Sequence, residues 1–204
     1  MIAICLLAVA TLLYAEWRGL ARLRTASKVL ASTAFVLLGV TAFGASPFHS
    51  WMVVGLVFGA IGDVALLGRS NRAFVGGLAA FLVGHVAYVV GFVLEGVEPG
   101  GLAIGLVPVA LIIATVGRRV VAAVKGGEEP ELAAPVTAYV AVISAMVLCA
   151  FGTGDVRAMV GACLFAGSDS LIAWERFVRK RPWGPLVIIV TYHLAQALLV
   201  VSFT

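Results

Sequence analysis

Apolar runs recur from one end of the chain to the other, each closed by charge, glycine or proline: 2–15, 28–44, 51–67, 74–94, 101–117, 135–151, 158–174 and 185–203. As helices they approach the roughly 20 residues that cross the hydrocarbon core of a bilayer. The pattern predicts an all-α membrane protein of about eight transmembrane helices, in a single polytopic domain over residues 1–204. No Lys or Arg precedes the first run, as a signal peptide would require, so it is read as a retained helix. The longest polar stretch, 117–134, contains GGEEPE (126–131) and reads as a flexible loop.

The basic residues orient these helices, because Lys and Arg collect in loops that stay in the cytoplasm. Arg18, Arg22, Arg24 and Lys28 follow the first run, Arg69 and Arg72 the third, Arg118, Arg119 and Lys125 the fifth, and Arg176, Arg179, Lys180 and Arg181 the seventh. Of the 14 Lys and Arg, only Arg157 falls in the opposite set of loops, which carry Glu95, Glu98 and Asp155. The alternation predicts that both termini face outside, and it suits a bacterial cytoplasmic membrane with an anionic inner leaflet.

Composition agrees. Hydrophobic residues make up 62% and charged residues 12%, about half the charge of a soluble domain; mean hydropathy is +1.12. The net charge of +4 follows from the basic loops. No basic patch interleaved with aromatics points to nucleic acid. Cys5, Cys149 and Cys163 lie in apolar runs without a CxxC and read as small buried hydrophobes.

A weak internal repeat divides the chain into possible halves, 1–95 and 101–204. Asp63, in GAIGDVALLG (59–68), sits near the end of the third run, followed by a basic turn and by His85 and Tyr88 in FLVGHVAYVV (81–90). Asp169, in FAGSDSLIAW (165–174), sits near the end of the seventh, followed by a basic turn and by Tyr192, His193 and Gln196 in VTYHLAQALL (190–199). Four spans separate the matching elements, so the copies run in the same direction as two parallel four-helix repeats.

Carboxylates within apolar spans are costly and usually functional. Asp63 and Asp169 are therefore the expected catalytic pair, converging near the inner ends of their helices and sharing a proton at neutral pH. His85 with Tyr88, and His193 with Gln196, each lie three apart on one helical face and can point to one interior. Lys28, at the inner start of the second run, either snorkels to the headgroups or reaches a substrate phosphate. Gly55, Gly59 and Gly62 read as close helix packing. His49 falls in the outer SPFHS loop, and no HxxxH or HxxE spacing signals a metal. A proton-coupled transporter and a metal-dependent lipid amidase or esterase, using His85, His193 and the aspartates, are the competing classes.

At these residues the chain resembles the YhhN/TMEM86 family of membrane lysoplasmalogenases. The resemblance rests on GDVALL (62–67), GLAAFLVGHVAYVVGF (77–92), GACLFAGSDSLIAWERF (161–177) and YHLAQALLV (192–200), in the family's order and spacing. Lys28 occupies the place of a family Lys-Pro, with Val29 in place of the proline. The resemblance implies hydrolysis of the vinyl ether bond of a lysoplasmalogen, a lysophospholipid held in the bilayer, to a fatty aldehyde and a glycerophospho-base, with no cofactor and no metal. That reaction needs a proton donor to the β-carbon, stabilisation of an oxocarbenium ion, and a directed water. Asp63 and Asp169 are assigned to the first two. Lys28, His85, Tyr88, Ser168, Tyr192, His193 and Gln196 are assigned to substrate and water.

Overall fold

A computed structural model describes residues 2–42, 46–68 and 70–202, and these contain helices and turns but no strand. The first helix, α1 (Ile2–Arg18), stops at Gly19, whose φ of 66° lies where a side chain would be strained. The Leu20 amide then donates back to the Ala15 carbonyl at 2.9 Å and closes the turn. So α2 (Ala21–Ala42) starts ahead of the apolar run and carries Arg22, Arg24 and Lys28 in its first two turns. Arg24 pairs with Glu16 of α1 at 2.7 Å across this turn.

Ser46 caps α3 (Pro47–Ala65), its hydroxyl accepting from the His49 amide, so His49 belongs to the first turn of a helix and not to the expected loop. Ser70 caps α4 (Asn71–Glu95) in the same way through the Ala73 amide. Arg69, expected in the turn between them, lies outside the described residues. The fifth apolar run continues well past its expected end, as α5 (Pro99–Ile112), a π-turn at Ile113–Gly117 and α6 (Arg118–Lys125), forming one rod with Pro108 inside it. The expected loop over 117–134 is thereby corrected. Val120 and Val124, one helical turn apart, bury against Leu132 and Val136 and hold residues 118–125 in helix. After a short 3-10 turn come α7 (Ala133–Gly152), α8 (Val156–Phe177), capped by Asp155, and α9 (Gly184–Val201).

Counting the α5–α6 rod once, seven described helices are long and apolar enough to cross a membrane; α1, at 17 residues, is the eighth helix. The protein is an all-α integral membrane protein. The Glu98 amide donates to the Gly152 carbonyl at 2.8 Å and ties two turns at one end of the bundle. At the other end Arg176 meets Glu129 and Asn71, so the basic turns share a face.

The most extensive packing is within the α3–α4 and α8–α9 hairpins. α4 also lies on α7, and α9 on α2. Small residues allow α3 and α4 to approach. Gly55 faces the Tyr88 ring, Gly62 faces the Phe81 ring, and a Cβ on Gly84 would stand 3.1 Å from the Gly55 carbonyl. The core then fills with Phe48, Met52, Phe81, Phe92, Met146, Phe165 and Leu199. α4 is the most enclosed span and α5–α6 the least.

Candidate active site

Asp63 is 3% exposed, inside a shell of donors. The Ser32 hydroxyl donates to its Oδ2 at 2.5 Å, and the Lys28 ammonium stands 3.2 Å from its Oδ1. The Tyr192 hydroxyl is a further hydrogen-bonding partner. That hydroxyl accepts from Gln196 Nε2 at 3.1 Å, and Gln196 Oε1 accepts from the Tyr88 hydroxyl at 3.0 Å. The chain of donors ends on Asp63, an arrangement suited to the carboxylate anion. Beside it His193 donates from Nδ1 to the Ile189 carbonyl at 2.7 Å, which leaves Nε2 buried without a partner.

Asp169 has different company. Its Oδ2 accepts a hydrogen bond from the Tyr139 hydroxyl and lies 2.9 Å from His85 Nε2, which is itself 3.0 Å from the same hydroxyl. His85 Nδ1 faces the Met146 sulfur at 3.2 Å. Neither Lys nor Arg pairs with Asp169 among the described residues. Its Oδ1 is buried and has no hydrogen-bond partner among the described residues.

The surroundings of Asp169 form a cleft between α4, the α5–α6 rod, α7 and α8, with an empty volume of about 680 Å³ including its open mouth. Its walls are apolar, from Phe74, Val120 and Phe177 at the basic end to Phe81, Ile112 and Ile143 further in. Tyr139, Asp169 and Ser170 are its polar side chains. Asp63 does not line it. Phe81 lines this cleft and packs edge-on against Tyr192, the tyrosine that meets Asp63.

Sequence reading expected one carboxylate pair with the other polar residues gathered around it. The structure builds two networks instead. Lys28, Tyr88, Tyr192 and Gln196 group with Asp63, His85 groups with Asp169, and no hydrogen bond or shared hydrogen-bonding partner joins the two carboxylates among the described residues. A proton shared directly between them is thus not supported by the geometry. Ser168 sits in the α8–α9 seam, donating to the Ile188 carbonyl at 3.4 Å. Ser32, Tyr139 and Met146 were missed. Spacing held a signal for two of them, since Ser32 precedes its aspartate by 31 residues and Tyr139 precedes its own by 30. Among the described residues no three His, Cys, Asp or Glu side chains are grouped to hold a metal, so the metal-dependent alternative has no ligand set there.

Comparison with known proteins fits this arrangement. The profile of the YhhN family matches residues 23–203, which carry both networks and the cleft. The chain belongs to the YhhN family. Relatives of this YhhN protein include human lysoplasmalogenase TMEM86B, 34% identical over 72% of this chain and 60% of the relative. Mouse lysoplasmalogenase TMEM86B is 34% identical over 82% of this chain and 69% of the relative. A lysoplasmalogenase of Mycobacterium bovis is 34% identical over 75% of this chain and 60% of its own length. The match thus spans about 60% of the length of several of these relatives. No solved structure matches the chain.

Proposed function

We propose that this YhhN protein hydrolyses the vinyl ether bond of lysoplasmalogens, releasing a fatty aldehyde and a glycerophospho-base. The reading is supported by the relatives named lysoplasmalogenase. The observation that carries it is the unpaired Oδ1 of Asp169 on the wall of an apolar cleft, with Oδ2 held by Tyr139 and His85. An alkenyl chain occupies the cleft. Asp169, protonated, gives its proton to the β-carbon of the double bond, and the carboxylate left behind faces the oxocarbenium ion that forms. Water adds to the carbon next to the ether oxygen, and the hemiacetal collapses to aldehyde and alcohol. Every atom is supplied by substrate, water and the carboxyl, so no cofactor is required.

In this reading Asp63 is a positioning residue. With Lys28, Ser32 and Tyr192 it ties α2, α3 and α9 together behind Phe81, which walls the cleft. The basic face lies in the cytoplasm and both termini outside, in a bacterial cytoplasmic membrane.

The test is hydrolysis in heavy water by the purified protein. One deuterium is expected on the carbon next to the aldehyde carbonyl, with a normal solvent isotope effect and no response to a chelator. Cleavage of a saturated ether analogue, hydrolysis confined to ester lipids, or passage of labelled lipid across the membrane intact would refute the proposal.

A further inference from the structure

At its basic end the cleft closes on Phe74 and Phe177, which meet edge-on with ring centres 5.7 Å apart. The Arg176 guanidinium lies over both rings, 5.1 and 5.9 Å from their centres. Its Nη2 donates to both oxygens of Glu129, at 3.0 and 2.8 Å, and to Asn71 Oδ1 at 2.6 Å. The Asn71 amide also donates to Glu129. Arg176 and Asn71 thus form a two-armed seat for an anion beside the Phe74 and Phe177 end of the apolar cleft. A carboxylate from the turn after α6 occupies it. The pair is only partly enclosed, with 34% of the Arg176 side chain and 19% of the Glu129 side chain exposed, so the contact is weak and exchangeable.

The spacing along α8 gives this seat a partner. Arg176 follows Asp169 by seven residues, which puts both on one face of the helix about 10 Å apart along its axis. In a lysoplasmalogen, seven covalent bonds separate the β-carbon of the vinyl ether from phosphorus, an extended reach of roughly 9 Å with ordinary bond lengths. We infer that Arg176 and Asn71 receive the headgroup phosphodiester of the lysophospholipid, and that Glu129 holds this seat until the phosphate displaces it. The inference rests on the proposed reading of the cleft, and it assigns a specificity element that neither carboxylate network supplies. A planar guanidinium matches two phosphate oxygens at once, whereas a lysine would offer a point charge.

Two measurements test it. In turnover, the preference in kcat/KM for a lysoplasmalogen over a phosphate-free 1-alkenylglycerol is expected to fall at least about tenfold in Arg176→Gln, the scale of a charge-assisted hydrogen bond. Arg176→Lys should fall between it and the parent. Glu129→Gln should lower KM for the phosphate-bearing substrate by roughly two- to fivefold, as expected for release of a partly exposed ion pair. In binding, a saturated 1-alkyl lysophospholipid in detergent micelles, followed by tryptophan fluorescence or calorimetry, should show the same dependence on Arg176, while millimolar inorganic phosphate should not displace it. An unaltered substrate preference in both Arg176 variants, an unchanged or higher KM in Glu129→Gln, or displacement by inorganic phosphate alone would overturn the inference. Arg176-dependent binding by a protein that cleaves no vinyl ether would instead retain the seat and remove the proposed reaction.

Discussion

Asp63 and Asp169 occupy matching places on α3 and α8, one helix before a hairpin partner carrying a histidine, yet their surroundings differ. Asp63 has a fixed cation and hydroxyl donors; Asp169 has a tyrosine, a neutral-capable imidazole and one oxygen with nothing bound. Similar sequence contexts thus acquire different surroundings. In the proposed reading a carboxylate locked by Lys28 organises structure. In the same reading the carboxyl facing Tyr139 and His85, without a Lys or Arg partner among the described residues, is the proton donor.

The largest expected effect tests the second half of that contrast. Asp169→Asn should reduce turnover by at least about a hundredfold, the usual scale of lost acid–base catalysis, with little change in thermal unfolding in detergent. Asp63→Asn should do the reverse. It leaves Lys28 facing a neutral amide and should destabilise the fold by about 2 kcal/mol, below the cost at a fully enclosed pair because Lys28 reaches the boundary. If Asp63→Asn abolishes turnover without altering the unfolding transition, the roles are exchanged. Tyr139→Phe comes next: loss of its hydrogen bond to Asp169 should lower kcat about tenfold, the scale of one bond to a charged group.

Two glycines sharpen the contrast at smaller scale. A Cβ on Gly59 would stand 2.9 Å from Gln196 Nε2 and 3.3 Å from the Tyr192 hydroxyl. Gly59→Ala should therefore crowd the Asp63 network and cost about 1 kcal/mol. A Cβ on Gly167 would meet nothing within 4 Å. Gly167→Ala should be neutral or stabilise by less than about 1 kcal/mol, through helix propensity. Thermal unfolding of the two variants side by side separates crowding at the network from a general effect of filling glycines in α3 and α8.

Much of this was legible in the chain. The apolar runs located the spans, because a bilayer demands length and apolarity of each one separately. The rare polar residues within those runs drew attention to the candidate site, and Asp63, His85, Asp169, His193 and Gln196 are all buried. Helix 118–125 was hidden because its core contact with Leu132 and Val136 depends on the chain turning back on itself. The partition into two networks was hidden for a similar reason. Depth along a helix can be counted from sequence, but which faces meet depends on packing. At four residues before each aspartate, Gly59 admits Gln196 and Tyr192, whereas Phe165 fills the equivalent space and packs against His85. Ser32 and Tyr139 carried only the faint signal of their similar spacing from the aspartates, since hydroxyls are ordinary packing residues in membrane helices.

The α5–α6 rod carries a mechanical consequence. Its 27 residues would measure about 40 Å as a straight helix, against a hydrocarbon core of roughly 30 Å. The surplus is the polar α6 end with Arg118, Arg119 and Lys125, which extends past the apolar part, while Pro108 and the π-turn at Ile113–Gly117 are where the rod bends most easily. Ile112, Val116 and Gly117 belong to that bend and also to the cleft wall. A change in bend there would alter the width of the cleft, and the expected sign of it is a turnover in reconstituted vesicles that varies with the chain length of the host lipid.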